Sequence, residues 1–173
     1  MKKVDFKRKL FFTGSISMRK IRELMEDITE LIVVGPGKPI YLSIASSGGS
    51  VDAAVAFYEF ATKIIDVELH TIGLGAIDSS AMMLFLAGKH RTIGNLATAK
   101  IHFGYIDFAE GETMDSNDMK REGRDMDILE ENERKIFLER TKVTTKVLEK
   151  WKRKEKTLTA REMIQWGIAH GKL

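Results

Sequence analysis

Two hydrophobic periodicities alternate along the chain, one typical of strands and the other typical of helices. Residues 9–13 form a short apolar run that ends at Gly14, as a strand would. The next apolar positions are spaced three or four apart, as on one face of a helix. They are Ile21, Leu24, Met25, Ile28, Leu31 and Ile32. The hydroxyls of Ser15 and Ser17 can cap this predicted helix, and Gly35 would end it.

The middle of the chain repeats the order of strand, turn and helix. Residues 40–44 alternate as a strand does, and a helical stripe of apolar residues follows the turn at 46–50. The stripe consists of Val51, Ala54, Val55, Tyr58 and Ala61. A third predicted strand, 67–74, leads through a turn into residues 81–87, which are apolar on all sides as in a buried helix. Strands that alternate with helices in this way predict an α/β fold.

The last part of the chain contains one short predicted strand and two predicted helices. Residues 99–103 form the strand. Residues 112–142 are highly charged and have sparse apolar positions, which predicts a long helix that is exposed or packs on a partner. Thr159 and Glu162 form a capping box for a last short helix that stops at Gly167. No internal repeat or linker interrupts the chain, so we expect a single domain over residues 1–173.

Composition narrows the classes of function. A length of 173 residues suits one domain with a substantial core, and a net charge of +3 gives no reason to expect a nucleic-acid partner. The chain has no cysteine, which excludes disulfides, thiolate catalysis and cysteine-containing zinc sites. No apolar run approaches the roughly 20 residues of a membrane span, and the lysine-rich start lacks the apolar segment of a signal peptide. We therefore expect a cytoplasmic protein without a membrane partner.

Two turns between a strand and a helix carry candidate chemistry, and each also has a purely structural explanation. Gly48-Gly49 can be a tight turn, or it can expose backbone N–H groups to a substrate oxyanion. Ser79 can cap the helix that follows it, or it can be a nucleophile at a helix start, where unpaired amides favour negative charge. His102 can be a strand histidine with satisfied hydrogen bonds, or it can be a general base. The residues alone leave these alternatives open.

Taken in order, these segments resemble the ClpP family, the proteolytic subunits of Clp proteases. Residues 40–51 are similar to a strand that ends in Asn-Ser-Pro-Gly-Gly in that family, with Ala45 and Ser47 in place of the Asn and the Pro. Residues 71–88 are similar, without a gap, to the family's nucleophile segment, whose serine falls on Ser79.

The resemblance continues along most of the chain. The interval from Arg91 to His102 matches the family's interval from a basic residue to its Met-Ile-His motif, and the similarity covers roughly residues 9–171. It implies a crotonase-like, superhelical α/β fold of repeated β-β-α units with a protruding handle helix at about residues 112–142. It also implies hydrolysis of peptide bonds, without a metal or an organic cofactor, inside a homo-oligomer of stacked rings.

The resemblance assigns roles to five residues. Ser79 would attack the scissile carbonyl, His102 would take and return the proton, and the backbone N–H groups of Gly49 and Ser80 would hold the oxyanion. The family's orienting Asp falls on Glu155. A Glu can orient an imidazole, but a Glu in a lysine-rich run is also an ordinary surface charge, so both interpretations of Glu155 stay open.

Two further features depart from the family pattern. Asp78 replaces a small residue before the nucleophile, and its charge would disfavour a nearby oxyanion if it pointed inward. About eight residues precede the first predicted strand, whereas ring proteases of the family carry a longer segment that helps to dock an unfoldase. This difference argues against a Clp-type ATPase as a partner.

Three hypotheses follow from the sequence. The first is a serine endopeptidase that cleaves peptides or unfolded proteins. The second is a catalytically silent ring subunit, which the altered nucleophile turn and the Glu at the third position of the triad suggest. The third is an acyl-CoA enzyme of the same superfold, for which the pairing of Ser79 with His102 gives no reason.

Overall fold

The structure, a computed structural model, describes residues 8–104 and 113–173, and these residues form seven strands and six helices. The strands are β1 (Lys9–Thr13), β2 (Ile40–Ser46), β3 (Leu69–Ile77), β4 (His90–Ile93), β5 (Thr98–Ile101), β6 (Lys156–Thr159) and β7 (Gly171–Lys172). The helices are α1 (Met18–Val34), α2 (Val51–Glu59), α3 (Ala81–Leu86), α4 (Ser116–Arg140), α5 (Thr145–Arg153) and α6 (Ala160–Gln165). A π-helical turn, Phe60–Ile64, extends α2. The architecture is the α/β fold that the sequence predicts.

The sheet brings the two candidate turns to the same edge. Strands β1, β2, β3, β4 and β7 lie side by side in that order, and neighbouring strands are parallel. Ser46 at the end of β2 is opposite Ile77 at the end of β3. Because parallel strands end at the same edge, the turns that follow β2 and β3 are neighbours. Strand β5 continues from this edge, since Thr98 pairs with Ala76, and β6 runs antiparallel to β5.

Helix α1 forms where the periodicity predicts it. The Ser17 hydroxyl accepts a hydrogen bond from the N–H of Lys20, and the N–H of Gly35 donates to the carbonyl of Leu31 at the other end. One face of the helix is buried, and its buried residues are Ile21, Leu24 and Ile28. Both the cap and the stop that the sequence predicts are therefore confirmed.

Helix α3 lies at the centre of the core. All six of its residues, Ala81–Leu86, are buried, as the uninterrupted apolar run predicts. Phe85 is completely buried, and replacement of such a side chain by Ala would lower the free energy of unfolding by about 3–5 kcal/mol. The helix that follows Ser79 is thus held rigidly against the sheet.

The long charged helix is partly integrated into the body of the protein. Helix α4 begins at Ser116, and residues 105–112, which include the predicted start at 112, lie outside the described residues. Glu133, Ile136 and Phe137 in its last turns are buried, so this half packs on the protein itself. Within residues 8–104 and 113–173, no helix is both long enough and apolar enough to cross a membrane.

Two arginines attach the end of the chain and the end of α4 to the loop after α3. The Arg91 guanidinium donates hydrogen bonds to the carbonyls of Ile168 and Gly167, and both Arg91 and Arg140 donate to the carbonyl of Gly88. Burial lowers the pKa of Arg91 to about 10, which leaves it protonated at neutral pH. Arg91 is therefore a structural cation that holds three segments together.

Candidate active site

Ser79 occupies a strained turn between β3 and α3. Its φ is +54°, in the left-handed region that residues other than glycine rarely adopt. A nucleophilic serine on a sharp strand-to-helix turn has this kind of strained backbone, which exposes its hydroxyl. The side chain of Ser79 is half-buried, and it does not cap α3. The capping interpretation of Ser79 is thus wrong. Helix capping therefore does not account for the strained backbone at this residue.

The Asp78-Ser79 turn is fastened to the strand that leads to His102. The N–H of Ser79 donates to the carbonyl of Lys100 at 2.8 Å, and the N–H of Lys100 donates to Oδ1 of Asp78 at 2.7 Å. The Asp78 carboxylate thus accepts a hydrogen bond from the backbone of β5. Because His102 comes two residues after Lys100, the same contacts set the position of the turn relative to the segment that carries the imidazole.

His102 directly follows β5 and is half-buried. The predicted strand 99–103 therefore ends two residues early, at Ile101. Nδ1 of His102 lies 2.5 Å from the carbonyl oxygen of Phe103. When Nδ1 donates its proton to a carbonyl, the lone pair is on Nε2, which is the tautomer that a general base needs.

The fold brings Glu155 to the same end of the small β5–β6 ladder as His102. Lys156 is opposite Ile101 in this antiparallel pair, and Glu155, with a φ of +47°, makes the turn between α5 and β6. Its Oε2 lies 2.6 Å from Nζ of Lys100, and its side chain is 64% exposed. The hydrogen bond from Lys100 is the main cause that lowers the pKa of Glu155, and the charge of His102 contributes less.

A surface cavity of about 420 Å³ joins these groups. Its lining includes Lys100, His102, Phe103, Lys152 and Glu155. His102, the predicted base, and Glu155, the predicted acid, thus line one cavity, and Lys100 and Lys152 line it with them. The carboxylate is bound by Lys100, whereas Nδ1 of the imidazole faces a backbone carbonyl.

The two predicted oxyanion donors lie against each other. The Ser80 hydroxyl donates to the carbonyl of Gly49 at 3.0 Å, and Ser80 is buried. Gly49 has a φ of +142°, and Ile16 pairs with this segment by accepting from the N–H of Ser50 and donating to the carbonyl of Gly48. Among the described residues, no acceptor is bonded to the N–H of Gly49 or Ser80. Neither N–H group is therefore committed to an acceptor within the described residues.

Gly48 packs directly on the candidate nucleophile. A Cβ at this position would lie 2.8 Å from Cβ of Ser79 and 2.9 Å from the carbonyl oxygen of Asp78. Its φ of +93° also suits glycine alone. Gly48-Gly49 thus forms a tight turn after β2. The lack of a side chain at Gly48 also allows this turn to approach Ser79 closely.

Sequence reasoning missed a buried ion cluster behind His102. Nζ of Lys152 lies 2.6 Å from Oε2 of Glu133 and 3.7 Å from Oε2 of Glu130, and the ammonium is 5.4 Å from the centre of the Phe103 ring. Oε1 of Glu130 accepts a hydrogen bond from the N–H of Gly104. The cluster therefore connects α4 and α5 to the segment that follows His102.

A signal for this cluster was present in the sequence. Leu148, Trp151 and Lys152 are the buried residues of α5, and they follow the spacing of one helical face. A lysine-rich run is typical of a solvated surface, but only 1% of the Lys152 side chain is exposed. Lys152 lies on the same buried face of α5 as Leu148 and Trp151. Its partners on α4 are distant in sequence and cannot be recognised from local spacing.

Known proteins resemble this chain in sequence. The sequence profile of the Clp protease family matches residues 1–171. The chain belongs to the Clp protease family. ATP-dependent Clp protease proteolytic subunit 1 of Chlamydia muridarum is 27% identical over 168 residues, which are 95% of this chain and 85% of that protein. Subunit 2 of Treponema denticola is 23% identical over 162 residues, 93% of this chain and 79% of the relative.

Another relative in the Clp protease family matches over a shorter stretch. Subunit 2 of Treponema pallidum is 29% identical over 82 residues, and the match spans 47% of this chain and 41% of that protein. The predicted resemblance to ClpP is confirmed by the family match, which places the chain among ClpP-like peptidases. The roles of individual residues depend on the geometry described above.

Proposed function

We propose that this Clp protease family chain is a serine endopeptidase with Ser79 as nucleophile and His102 as general base. The strained backbone of Ser79 carries the proposal. A left-handed serine costs about 1–3 kcal/mol, and such strain is concentrated at functional sites. Backbone hydrogen bonds to Lys100 hold this turn against the strand that ends next to His102. The strained backbone of Ser79 adds no stability through helix capping, since its side chain does not cap α3. A purely structural role therefore does not explain the strain.

The chemistry follows the general scheme of acyl transfer. Oγ of Ser79 attacks the carbonyl carbon of the peptide as Nε2 of His102 takes its proton. The N–H groups of Gly49 and Ser80 stabilise the negative oxygen of the tetrahedral intermediate, and the imidazolium then returns the proton to the leaving amine. Water, activated by the same imidazole, releases the acyl group. Each step uses groups that lie around one edge of the sheet.

Glu155 completes the site in this proposal through its charge. The carbonyl of Phe103 faces Nδ1 of His102 and selects the tautomer, while the Glu155 carboxylate lies in the same cavity. A carboxylate near the imidazole stabilises the cation that forms during the reaction. Lys100 binds this carboxylate and weakens its effect, so we infer that Glu155 is a weaker third member than a directly bonded Asp would be.

The substrates are peptides or unfolded proteins, and the working form is a homo-oligomer of stacked rings in the cytoplasm. The first half of α4 supports this assembly. Met119 and Ile128 are 60% and 53% exposed on an otherwise charged helix, and contact with another copy would cover them. In this proposal α4 is the handle between two rings.

Labelling with a fluorophosphonate probe tests the proposal. The wild-type oligomer, verified by light scattering, should be labelled, and Ser79→Ala should not. His102→Asn should lower the rate of labelling by about 10²-fold or more, since it removes the general base. Ser116→Ala, which removes an exposed hydroxyl from α4, is the matched control and should be labelled like the wild type. Equal labelling of wild type and Ser79→Ala, or no labelling of the folded oligomer, would refute the peptidase assignment.

One observation favours a second candidate, a catalytically silent ring subunit. The carboxylate of Glu155 is bonded to Lys100, and Nδ1 of His102 faces a neutral carbonyl. A silent subunit would form the same oligomer and would show no labelling that depends on Ser79. The probe experiment therefore separates the two candidates.

A further inference from the structure

Three potential metal ligands meet at the opposite end of β3 from Ser79. The Nε2 atom of His70 lies 3.4 Å from Oε2 of Glu68, and the Nε2 atom of His90 lies 3.9 Å from the same oxygen. One donor atom from each residue lies within 4.8 Å of the other two. The two imidazole rings are edge to face, with 4.6 Å between their centres.

The parallel pairing of β3 and β4 produces this cluster. His70 on β3 is directly opposite His90 on β4. Glu68 precedes His70 by two residues, and side chains two residues apart in an extended segment point to the same face. The three groups therefore share one face because of strand register, although the first and the last are 22 positions apart in the sequence.

The spacing suits a four-coordinate transition metal. Zn–N bonds of about 2.0–2.1 Å in tetrahedral geometry place neighbouring donor atoms about 3.3–3.4 Å apart. The distance between His70 Nε2 and Glu68 Oε2 already has this value, and the distance from His90 is half an ångström longer. The His90 side chain is 55% exposed, so its ring can rotate to close this gap.

The surroundings leave this cluster accessible to solvent. The side chains of Glu68 and His90 are 46% and 55% exposed. The Lys89 ammonium is bonded to Oε1 of Glu68, so Oε2 is the oxygen that faces the histidines. An ion held by these three protein groups would keep a further position for water.

We propose that Glu68, His70 and His90 form a binding site for a divalent transition-metal ion of the Zn²⁺ type. Two imidazoles and one carboxylate select such ions over Mg²⁺ and Ca²⁺, which prefer oxygen ligands alone. The proposal goes beyond the peptidase function and does not depend on it. The ion would cross-link β3 to β4 at the amino-terminal edge of the sheet. The sequence does not predict this site, because no zinc motif has the spacing of Glu68, His70 and His90.

Titration of the full-length chain with Co²⁺, followed by displacement with Zn²⁺, tests this site. Co²⁺ in a four-coordinate site has strong visible absorption. We expect saturation at one ion per chain and loss of the absorption when Zn²⁺ is added. His70→Ala and His90→Ala should each lower the affinity at least about 10–100-fold, since removal even of groups that support ligands has effects of this size.

Two further variants keep the test independent of folding and of the peptidase site. Glu68→Gln preserves the size of an exposed side chain, so it should fold normally, as circular dichroism can verify, and should bind Co²⁺ more weakly. His102→Asn is the matched histidine control, because His102 lies beyond the other end of β3, and it should bind as the wild type does. Binding that survives in His70→Ala/His90→Ala, binding that is lost in His102→Asn, or no saturable binding would overturn the assignment.

Discussion

The carboxylate of Asp78 accepts a hydrogen bond from the backbone N–H of Lys100, with 2.7 Å between Oδ1 and the nitrogen. This contact answers the question that the sequence raised about a charge next to the nucleophile. Asp78 does not act on the substrate in our proposal. It binds the turn of Ser79 to β5, and the N–H of Ser79 completes the pair by donating to the carbonyl of Lys100.

We predict that Asp78→Ala loosens this attachment. The N–H of Lys100 would lose its acceptor, so the free energy of unfolding should fall by about 1–3 kcal/mol. Fluorophosphonate labelling of Ser79 should slow by at least about tenfold, since small displacements of a nucleophile have large effects on rate. Urea unfolding and labelling kinetics measure both. Asp78→Asn keeps an oxygen acceptor, so its stability and its rate of labelling should fall less than those of Asp78→Ala. An Asp78→Ala variant with the stability and the labelling rate of the wild type would exclude a positioning role.

Gly48→Ala tests the close approach of the two turns. The new methyl group would overlap Ser79, and the backbone would be strained at a φ of +93°. Strain of about 1–2 kcal/mol together with overpacking of about 1–3 kcal/mol should lower the free energy of unfolding clearly and suppress labelling of Ser79. Gly171→Ala is the control, because no atom of the described residues beyond its chain neighbours lies within 4 Å of the new Cβ, and φ there is not positive. Equal stability of the two variants would show that Gly48 has no steric role.

Lys152→Met tests the buried cluster behind His102. Removal of the ammonium would leave the Glu133 carboxylate buried without its partner, which typically lowers the free energy of unfolding by about 3–5 kcal/mol. Chemical denaturation measures the change. Lys150→Met, on the exposed side of α5, should stay within about 0.5 kcal/mol of the wild type. If the two lysines gave the same result, the cluster would have no structural importance.

The capping box of α6 predicts a dependence of stability on pH. The hydrogen bond from Lys156, and then that from the N–H of Thr159, lower the pKa of Glu162 from 4.5 to about 2. Since the folded protein binds this proton less tightly than the unfolded chain, the ionised carboxylate stabilises the fold above about pH 4.5. The stabilisation disappears as the pH falls towards 2.

Comparison of Glu162→Gln with the wild type measures this effect. At neutral pH the variant should be less stable by about 1 kcal/mol, a modest value because solvent partly screens the ion pair. The difference between the two proteins should shrink as the pH is lowered from about 4.5 towards 2. A difference that stays constant over this interval would show that the ionised carboxylate is not the source of the stability.

Much of the fold could be predicted because its signals are local. The Ser17 cap, the buried run of α3 and the Thr159–Glu162 capping box depend on residues within one or two helical turns, and all three are present. Strands β4, β6 and β7 were not predicted. They are two to four residues long, which is too short for a pattern of alternation to be recognised.

The sequence by itself determined the order of β1, β2, β3 and β5 and of the helices α1, α2, α3, α4 and α6. It also determined the glycine turn before α2 and the positions of Ser79 and His102 along the chain. Only the tertiary structure decided that Lys100 holds Glu155, that Lys152 is buried, and that the imidazoles of His70 and His90 face each other. The physical reason lies in the range of the interactions. Caps and helical faces form between near neighbours, whereas strand register and packing decide which of many lysines and carboxylates meet.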